Sequence, residues 1–272
     1  MRTRTPTSSR QGALLGSLLW AVAGLLVTAP ATTAQPAPPD RIVVRLDSGW
    51  RPASRTFADT RVFVANLEQG RFEVDYALKG GGVVDGGVSF LLWRNLGIGL
   101  DVSNFRTIHG AQINSKLPHP FFFDLPRTTT GGAGGLERQE LGIHIRALWV
   151  SQIADWLVVS VSGGPSIISA TQDLVSAVHH TEVGFPFSEV VFSGHTLNSQ
   201  SDTTTGFNAG IDIDSFFLHQ VPFLRNFEVM KHIGVGLLLR YVQGVVVLRV
   251  ENDPIPVDLG GLQVTSGLRF RF

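Results

Sequence analysis

The feature that most constrains this chain is an alternation of apolar and polar residues that recurs from residue 41 to the end. In the segment 96–103, Leu or Ile or Val stands at each even position, and Gly, Asp101 or Ser103 stands between them. An extended strand puts successive side chains on opposite faces, so such a segment predicts a β-strand with one apolar and one polar face. Eight segments have this pattern: 41–51, 83–93, 96–103, 141–149, 157–163, 207–214, 233–241 and 262–272.

Both a soluble β-sandwich and a membrane β-barrel are built from alternating strands, and the connections help to separate them. Short turns at 94–95 and 152–156 alternate with long stretches at 105–138 and 172–205, which we interpret as loops. Short turns at one end and long loops at the other are typical of bacterial outer-membrane barrels. We therefore predict an all-β fold, a transmembrane antiparallel up-and-down barrel of eight strands with both ends in the periplasm.

Two connections depart from this pattern of short turns and long loops. The first outer connection, 52–82, contains its own alternating piece, RFEVDYAL, so we expect a strand there that projects above the membrane. The connector 215–232 should be a short periplasmic turn, yet it is long and aromatic. Either it holds a short helix at the membrane interface, or the strand count is wrong.

The N-terminus has the layout of an export signal. Arg2, Arg4 and Arg10 precede an uncharged apolar stretch, and small residues follow it. This predicts a signal peptide over 1–34, a Pro-rich tether over 35–40 and a barrel over 41–272. The alternative is an uncleaved membrane anchor, since the apolar stretch nearly reaches the length that spans a bilayer.

Charge and cysteine content exclude several classes of function. Lys plus Arg and Asp plus Glu number 22 each, so the chain lacks the basic surplus with which proteins meet nucleic-acid phosphates. The chain has no cysteine, which excludes disulfides, thiolate metal sites and cysteine nucleophiles.

The polar face of the strands carries charges at mid-strand, and in a barrel these side chains point into the lumen. An eight-stranded barrel is barely wide enough for its own side chains, so charges buried there must pair. We predict a lumen ion-pair network that plugs the barrel; a narrow ion path is the alternative. Its members are Arg45, Asp47, Arg51, Asp85, Asp101, His144, Arg146, Asp212, Asp214, Arg240, Arg269 and Arg271.

Other candidate sites are weak. His109, His179, His180 and His195 fall in predicted loops without the spacing of a metal site. Ser193, His195 and Asp202 fall in one predicted loop, where lipid-modifying barrel enzymes would place a triad, but such residues are common in loops. We expect no catalytic residue, no metal and no cofactor.

With its signal sequence, its eight alternating segments and its terminal GLRFRF, the chain resembles the small outer-membrane β-barrels of the OmpA/OmpX/OmpW-like eight-stranded type. The resemblance implies that Phe270 and Phe272 form the signal read by the barrel-assembly machinery, with periplasmic chaperones and outer-membrane lipid as further partners. It implies no cell-wall link, because no further domain follows the alternating segments.

The resemblance is informative for architecture and weak for function. The first hypothesis is a non-enzymatic role in membrane integrity or in contacts of long extracellular loops with an unknown surface ligand. The alternatives are a small pore or a transporter of hydrophobic compounds, and, third, a lipid-modifying enzyme.

Overall fold

The computed structural model describes residues 41–52, 55–220, 228–250 and 253–272. The predicted signal peptide, 1–34, and tether, 35–40, lie outside these residues. The strands are β1 (Ile42–Arg51), β2 (Arg55–Ala65), β3 (Glu68–Leu78), β4 (Gly81–Trp93), β5 (Leu96–Leu117), β6 (Arg127–Ala154), β7 (Leu157–Glu182), β8 (Val190–Ser215), β9 (Ile233–Val250) and β10 (Asp253–Arg271).

Eight of these strands close into an antiparallel ring. Going round it, β1 pairs with β4, and β4 is followed by β5, β6, β7, β8, β9 and β10, which returns to β1. The main chain of Phe272 completes the closure, since its carbonyl accepts hydrogen bonds from the amides of Arg41 and Ile42. The predicted up-and-down barrel is confirmed, and each of the eight predicted segments lies in a ring strand.

The two further strands, β2 and β3, form a hairpin in the first outer connection. The strand predicted from RFEVDYAL is β3, and it pairs with the upper part of β5 while β4 pairs with the lower part. Ala77 faces Gly110 and Gly82 faces Arg106, so β3 and β4 follow one another along the same edge of β5.

The interpretation of 105–138 and 172–205 as loops was wrong. Strands β5 and β6 continue to a tip at 118–126, and β7 and β8 continue to a tip at 183–189. The prediction failed because the outward face of these stretches is largely polar, while the inward face mixes apolar residues with polar ones. Neither face therefore has the continuous apolar stripe of the membrane segments.

Strand β5 shows this reversal clearly. In its lower half, Val102 is exposed on the outer face and Asp101 is buried in the lumen. In its upper half, Asn114 is exposed on the same outer face, and Ile113 is buried inside. In the lower half the outward face is apolar, as contact with lipid requires. In the upper half the outward face is polar, as contact with water requires.

Exposed apolar side chains form a belt around the lower half. On β6 the belt runs from Leu141 to Trp149, about nine residues, and a transmembrane strand needs about 9–11. Other members are Leu46, Phe90, Leu92, Leu96, Ile98, Leu100, Val102, Ile143, Ile145, Ile213, Leu237, Leu239, Leu262 and Leu268. A closed β-barrel with such a belt is the architecture of outer-membrane proteins, so the chain is a bacterial outer-membrane β-barrel.

Above the belt lies a folded part that we call the outer body, made of β2, β3 and residues 105–138, 168–205 and 242–259. The β6–β7 ladder stops at Arg138 and Gln172, and the β8–β9 ladder stops at Gly206 and Gly244. Beyond these points, the β7–β8 and β9–β10 hairpins pack against the β2-β3-β5-β6 sheet around a shared core. The core includes Val74, Tyr76, Ile113, Leu136, Leu174, Val246, Leu248 and Val257.

The connector 215–232 contains two short 3₁₀ turns, Phe217–Gln220 and Glu228–Lys231. The ring contains all eight predicted strands, so the length of the connector does not reflect a missed strand of the barrel. Within the described residues, none of the helical segments has the length and apolarity to cross a bilayer.

Candidate functional site

The centre of the barrel lumen is organised around Asp101, whose carboxylate is fully buried. It accepts hydrogen bonds from three arginines on three different strands: Arg45 at 2.6 Å, Arg146 at 3.0 Å and Arg240 at 3.2 Å. Adjacent to Asp101 on the sheet, Asp85 forms a second ion pair with Arg240. Arg45 and Arg240 therefore join strands that are distant in sequence, whereas Arg146 joins the consecutive strands β5 and β6.

Arg269 has the same central role nearer the end of the barrel where the short β6–β7 turn lies. Its guanidinium donates to Asp47 at 2.6 Å, Asp212 at 3.0 Å and Asp214 at 2.5 Å. Arg45 also pairs with Asp212, so the Asp101 and Arg269 clusters form one continuous network. Four arginines and five aspartates take part in it.

His144 lies in the lumen between two serines. Its Nε2 atom is 2.8 Å from the hydroxyl of Ser103, and its Nδ1 atom is 2.8 Å from the hydroxyl of Ser166. Asn208 donates a further hydrogen bond to Ser166 at 2.9 Å. With both ring nitrogens engaged by hydroxyl groups, His144 joins β5 to β7 and contacts no carboxylate.

A second cluster lies above the first, at the junction with the outer body. Glu140 accepts hydrogen bonds from Arg51 at 2.7 Å, from Arg138 at 2.8 Å and from the amide of Gly260 at 3.2 Å. Arg138 was missed because it ended the stretch interpreted as a loop, and Glu140 because it lay between that stretch and the predicted strand segment 141–149. Their alternation with Gln139 in RQE, directly before Leu141, was the signal that could have found them.

The structure thus brings together all the proposed lumen residues except Arg271. Arg271 is half-buried at the end of the lumen near the short β6–β7 turn, where its guanidinium lies 4.3 Å from the centre of the Phe216 ring and donates to the carbonyl of Lys231 at 2.8 Å. Phe216 is almost completely buried, and a small cavity of about 60 Å³ lies beside it. This end of the lumen is therefore covered by an aromatic side chain.

The two ionic clusters and the apolar core above them together close the lumen. The side chains of the two ionic clusters are buried, and six arginines meet six carboxylates, so their charges balance. Above them, the apolar core of the outer body fills the interior. Buried charge pairs of this kind fix strands relative to one another, and removing one partner is expensive.

The histidines outside the lumen do not assemble into a metal site. Among the described residues, no group of three or more His, Asp or Glu side chains is arranged to hold a metal ion. His179 is 2.8 Å from the hydroxyl of Thr196, and the ring of His195 stacks on Phe192. Ser193, His195 and Asp202 all lie on β8, and seven residues of extended strand, about 23 Å, separate His195 from Asp202.

The outermost part of the chain is an apolar tip formed by the loops 118–126 and 183–189. Their exposed side chains include Phe121, Phe122, Phe123, Leu125, Val183 and Phe185. Arg127 holds the two loops together: it pairs with Glu182 and donates to the carbonyls of Pro118 at 2.8 Å and Phe187 at 2.9 Å. The hydrogen bonds from Arg127 hold the pKa of Glu182 below its usual value. Sequence reasoning missed this tip because it assigned no structure to the loops.

No model of a known protein family matches the sequence, and no curated protein matches it. Among solved structures, the chain is similar to Neisserial surface protein A, at 10% identity and a TM-score of 0.40, over 85% of this chain and 97% of that one. Against Ail, the attachment invasion locus protein of Yersinia pestis, identity is 11% and the TM-score 0.33, over 85% and 99%.

The outer membrane protease OmpT from Escherichia coli is also similar, at 11% identity and a TM-score of 0.39, over 90% of this chain and 100% of that one. At such identities and TM-scores, none of these similarities says what this chain binds or catalyses.

Proposed function

We propose that the protein is a non-enzymatic outer-membrane barrel whose outer body makes contacts at the cell surface. The observation that carries this proposal is the reversal of amphipathic sense along strands such as β5, with Val102 lipid-facing and Asn114 water-facing. The reversal extends the strands into a folded body outside the membrane. That body ends in an exposed tip.

The closed lumen favours surface contact over transport. An open pore needs water along its axis, whereas here Asp101, Arg45 and Arg269 are almost completely buried in ion pairs, Asp101 with Arg45 and Arg269 with an aspartate of β8. The outer end is filled by apolar side chains such as Ile113 and Val246. The alternative of a small pore would require both regions to move.

Surface contact is also favoured over lipid modification. The serine, histidine and aspartate considered for a triad are spread along one strand, with Ser193, His195 and Asp202 on β8. His144 contacts two serines but no carboxylate, and it is enclosed in the lumen. Neither arrangement supplies a nucleophile with an oriented base that a substrate could reach.

Selective labelling tests whether the outer body is outside the cell. The chain has no cysteine, so a single introduced cysteine is a unique target. Ser188→Cys, at the exposed tip, should react with a membrane-impermeant maleimide on intact cells. Asp155→Cys, in the exposed β6–β7 turn at the other end, should react only after the outer membrane is permeabilised. Protection of the Ser188→Cys variant on intact cells, with labelling of Asp155→Cys, would reverse the orientation and end the proposal.

A further inference from the structure

The apolar tip is the most distal part of the described chain, and its side chains are unusually exposed. The exposed fractions are 65% for Phe121, 58% for Phe122, 70% for Phe123, 54% for Leu125 and 87% for Phe185. Single exposed apolar residues are ordinary, but a contiguous exposed group of them marks an interaction site.

The rings of the tip are in mutual contact, so the group is organised. Phe121 lies 5.5 Å from Phe187, and Phe187 lies 6.3 Å from Phe185, measured between ring centres. His119 lies 5.0 Å from Phe122. The two loops therefore present one connected group of aromatic rings at the apex.

The main chain of the tip is already hydrogen-bonded from within. The Nδ1 atom of His119 accepts hydrogen bonds from the amides of Phe121 at 3.1 Å and Phe122 at 3.2 Å. Arg127 donates to the carbonyls of Pro118 and Phe187, and the amide of Phe187 donates to the carbonyl of Gly184. Main-chain groups that enter hydrocarbon without a partner cost several kcal/mol each, so this internal bonding is what burial in lipid requires.

The two tip loops contain no permanently cationic side chain that would attract an anionic partner. In 118–126 and 183–189 the ionised side chains are the carboxylates of Asp124 and Glu189, and neither loop contains lysine or arginine. A tip without cations gains nothing from anionic headgroups, so its affinity must come from apolar burial, which is the regime of a zwitterionic bilayer.

Distance separates the tip from the membrane that holds the barrel. On β5, Leu117, at the base of the tip, lies thirteen residues beyond Asn104, at the edge of the belt. That is about 43 Å of strand, or about 30 Å of height at a typical barrel tilt. The tip cannot reach back into its own bilayer.

We propose that this aromatic tip inserts into the interfacial region of a second lipid bilayer, one that faces the membrane in which the barrel is embedded. The inference rests on the proposed surface role and names its partner: a zwitterionic lipid surface. Phe123 and Phe185 enter the acyl boundary, while the His119 and Arg127 hydrogen bonds remain intact beneath them.

The test uses the full protein in nanodiscs, mixed with vesicles of pure phosphatidylcholine and separated by flotation. The protein should float with the vesicles, and an environment-sensitive dye on Phe123→Cys should brighten as it enters lipid. Phe123→Ser and Leu125→Ser should each weaken vesicle binding about tenfold, since each removes one apolar side chain from the inserted surface. Adding anionic phosphatidylglycerol should not strengthen binding.

Ile108→Ser is the matched control. Ile108 is 62% exposed on the flank of the outer body, so it undergoes the same chemical change away from the tip, and its variant should bind vesicles as wild type does. Absence of flotation, or equal loss in Ile108→Ser and Phe123→Ser, overturns bilayer insertion. When flotation fails, labelling of Ser188→Cys on intact cells decides what remains. If that cysteine is labelled, the surface role stands and only the lipid partner is rejected. If it is protected, the surface role and the lipid partner are both rejected.

Discussion

Arg240 on β9 and Asp101 on β5 lie 3.2 Å apart across the lumen, although 139 residues separate them in the chain. Asp101 also accepts from Arg45 and Arg146, so its carboxylate offsets three buried guanidinium groups. Asp101→Asn should therefore lower the free energy of unfolding by about 3–5 kcal/mol, measured by denaturant titration of the lipid-embedded barrel.

Two comparisons make this first prediction specific. Asp75→Asn, on an exposed outward position of β3, should change stability by less than about 0.5 kcal/mol. The double variant Asp101→Asn with Arg146→Gln should be less unstable than the sum of its single changes, because it removes both members of one pair. Near-wild-type stability of Asp101→Asn would mean that water reaches the network.

The packed lumen also predicts that the protein does not conduct ions. Purified protein added to planar bilayers should show no steady single-channel conductance, because Arg269, Asp47 and Asp212 form a connected barrier across the lower lumen. Phe216 covers the side of that barrier nearer the β6–β7 turn. Reproducible steps of constant conductance from the wild-type protein would favour the pore hypothesis instead.

In the outer body, Tyr76 joins two hairpins. Its ring stacks on Phe57 at 4.5 Å, and its hydroxyl accepts a hydrogen bond from the amide of Val175 at 2.8 Å. Burial raises the pKa of Tyr76 to about 12, so the hydroxyl stays neutral. Tyr76→Phe leaves the buried Val175 amide without its acceptor and should cost about 1–3 kcal/mol.

The measurement for Tyr76→Phe is hydrogen exchange across β7, where the Val175 amide should exchange faster than in wild type. Tyr241→Phe, on the outward face of β9, serves as the control and should leave exchange in β7 unchanged. Unaltered protection of Val175 in Tyr76→Phe would show that this hydrogen bond does not hold the β7–β8 hairpin.

His109 makes the outer body sensitive to acid. Its ring is buried, and neither ring nitrogen has a hydrogen-bond partner among the described residues. Burial, followed by the charge of Arg138, lowers the pKa of His109 to about 4. The folded state therefore favours the neutral ring, and the stabilisation from this group is present above the unfolded pKa of about 6.5 and is lost as the pH falls towards 4.

Replacing the His109 ring removes this pH-dependent contribution to the stability of the outer body. His109→Phe should flatten the loss of protease resistance of the outer body between about pH 6.5 and pH 4. His179→Gln, at an exposed position, should retain the wild-type pH profile. Identical pH profiles for wild type and His109→Phe would show that other groups control the acid response.

The last residue closes the barrel. The main-chain amide of Phe272 donates to the carbonyl of Ile42 at 2.9 Å, and its side chain is 65% exposed. Deleting Phe272 should reduce the yield of folded, heat-modifiable protein, through loss of both the closing hydrogen bonds and the aromatic side chain. Phe272→Ala keeps the main chain and removes only the aromatic side chain, so it separates the two effects. Phe270→Ala tests the second aromatic residue of the proposed signal. Full assembly without Phe272 would contradict the assembly-signal prediction.

Sequence reasoning was strongest where lipid and lumen impose opposite chemistries on alternate residues. That requirement gave the eight ring strands and placed charges such as Asp101 and Arg240 on the inner face. It is a local requirement, so it can be read from eight or nine residues at a time.

The outer body was harder for a physical reason. There the outward face is polar, as in a loop, and the inward residues include His109, Thr107 and Ala111, which do not form an obvious apolar stripe. The apolar core assembles from four parts of the chain, with members such as Tyr76, Leu174 and Val246, and their proximity depends on the topology. The tip contacts of Arg127 depend on the same long-range arrangement.

The reversal of amphipathic sense has a consequence for how the protein reaches its final position. The outside of the outer body carries Glu73, Asp75 and Lys116, which would have to cross hydrocarbon if the finished barrel were pushed through the membrane. Lys116 would cost about 2–4 kcal/mol at the bilayer midplane, and Glu73 and Asp75 less. Because these costs apply to the folded and the unassembled chain alike, the outer body must reach its position by a route that shields its charges from hydrocarbon.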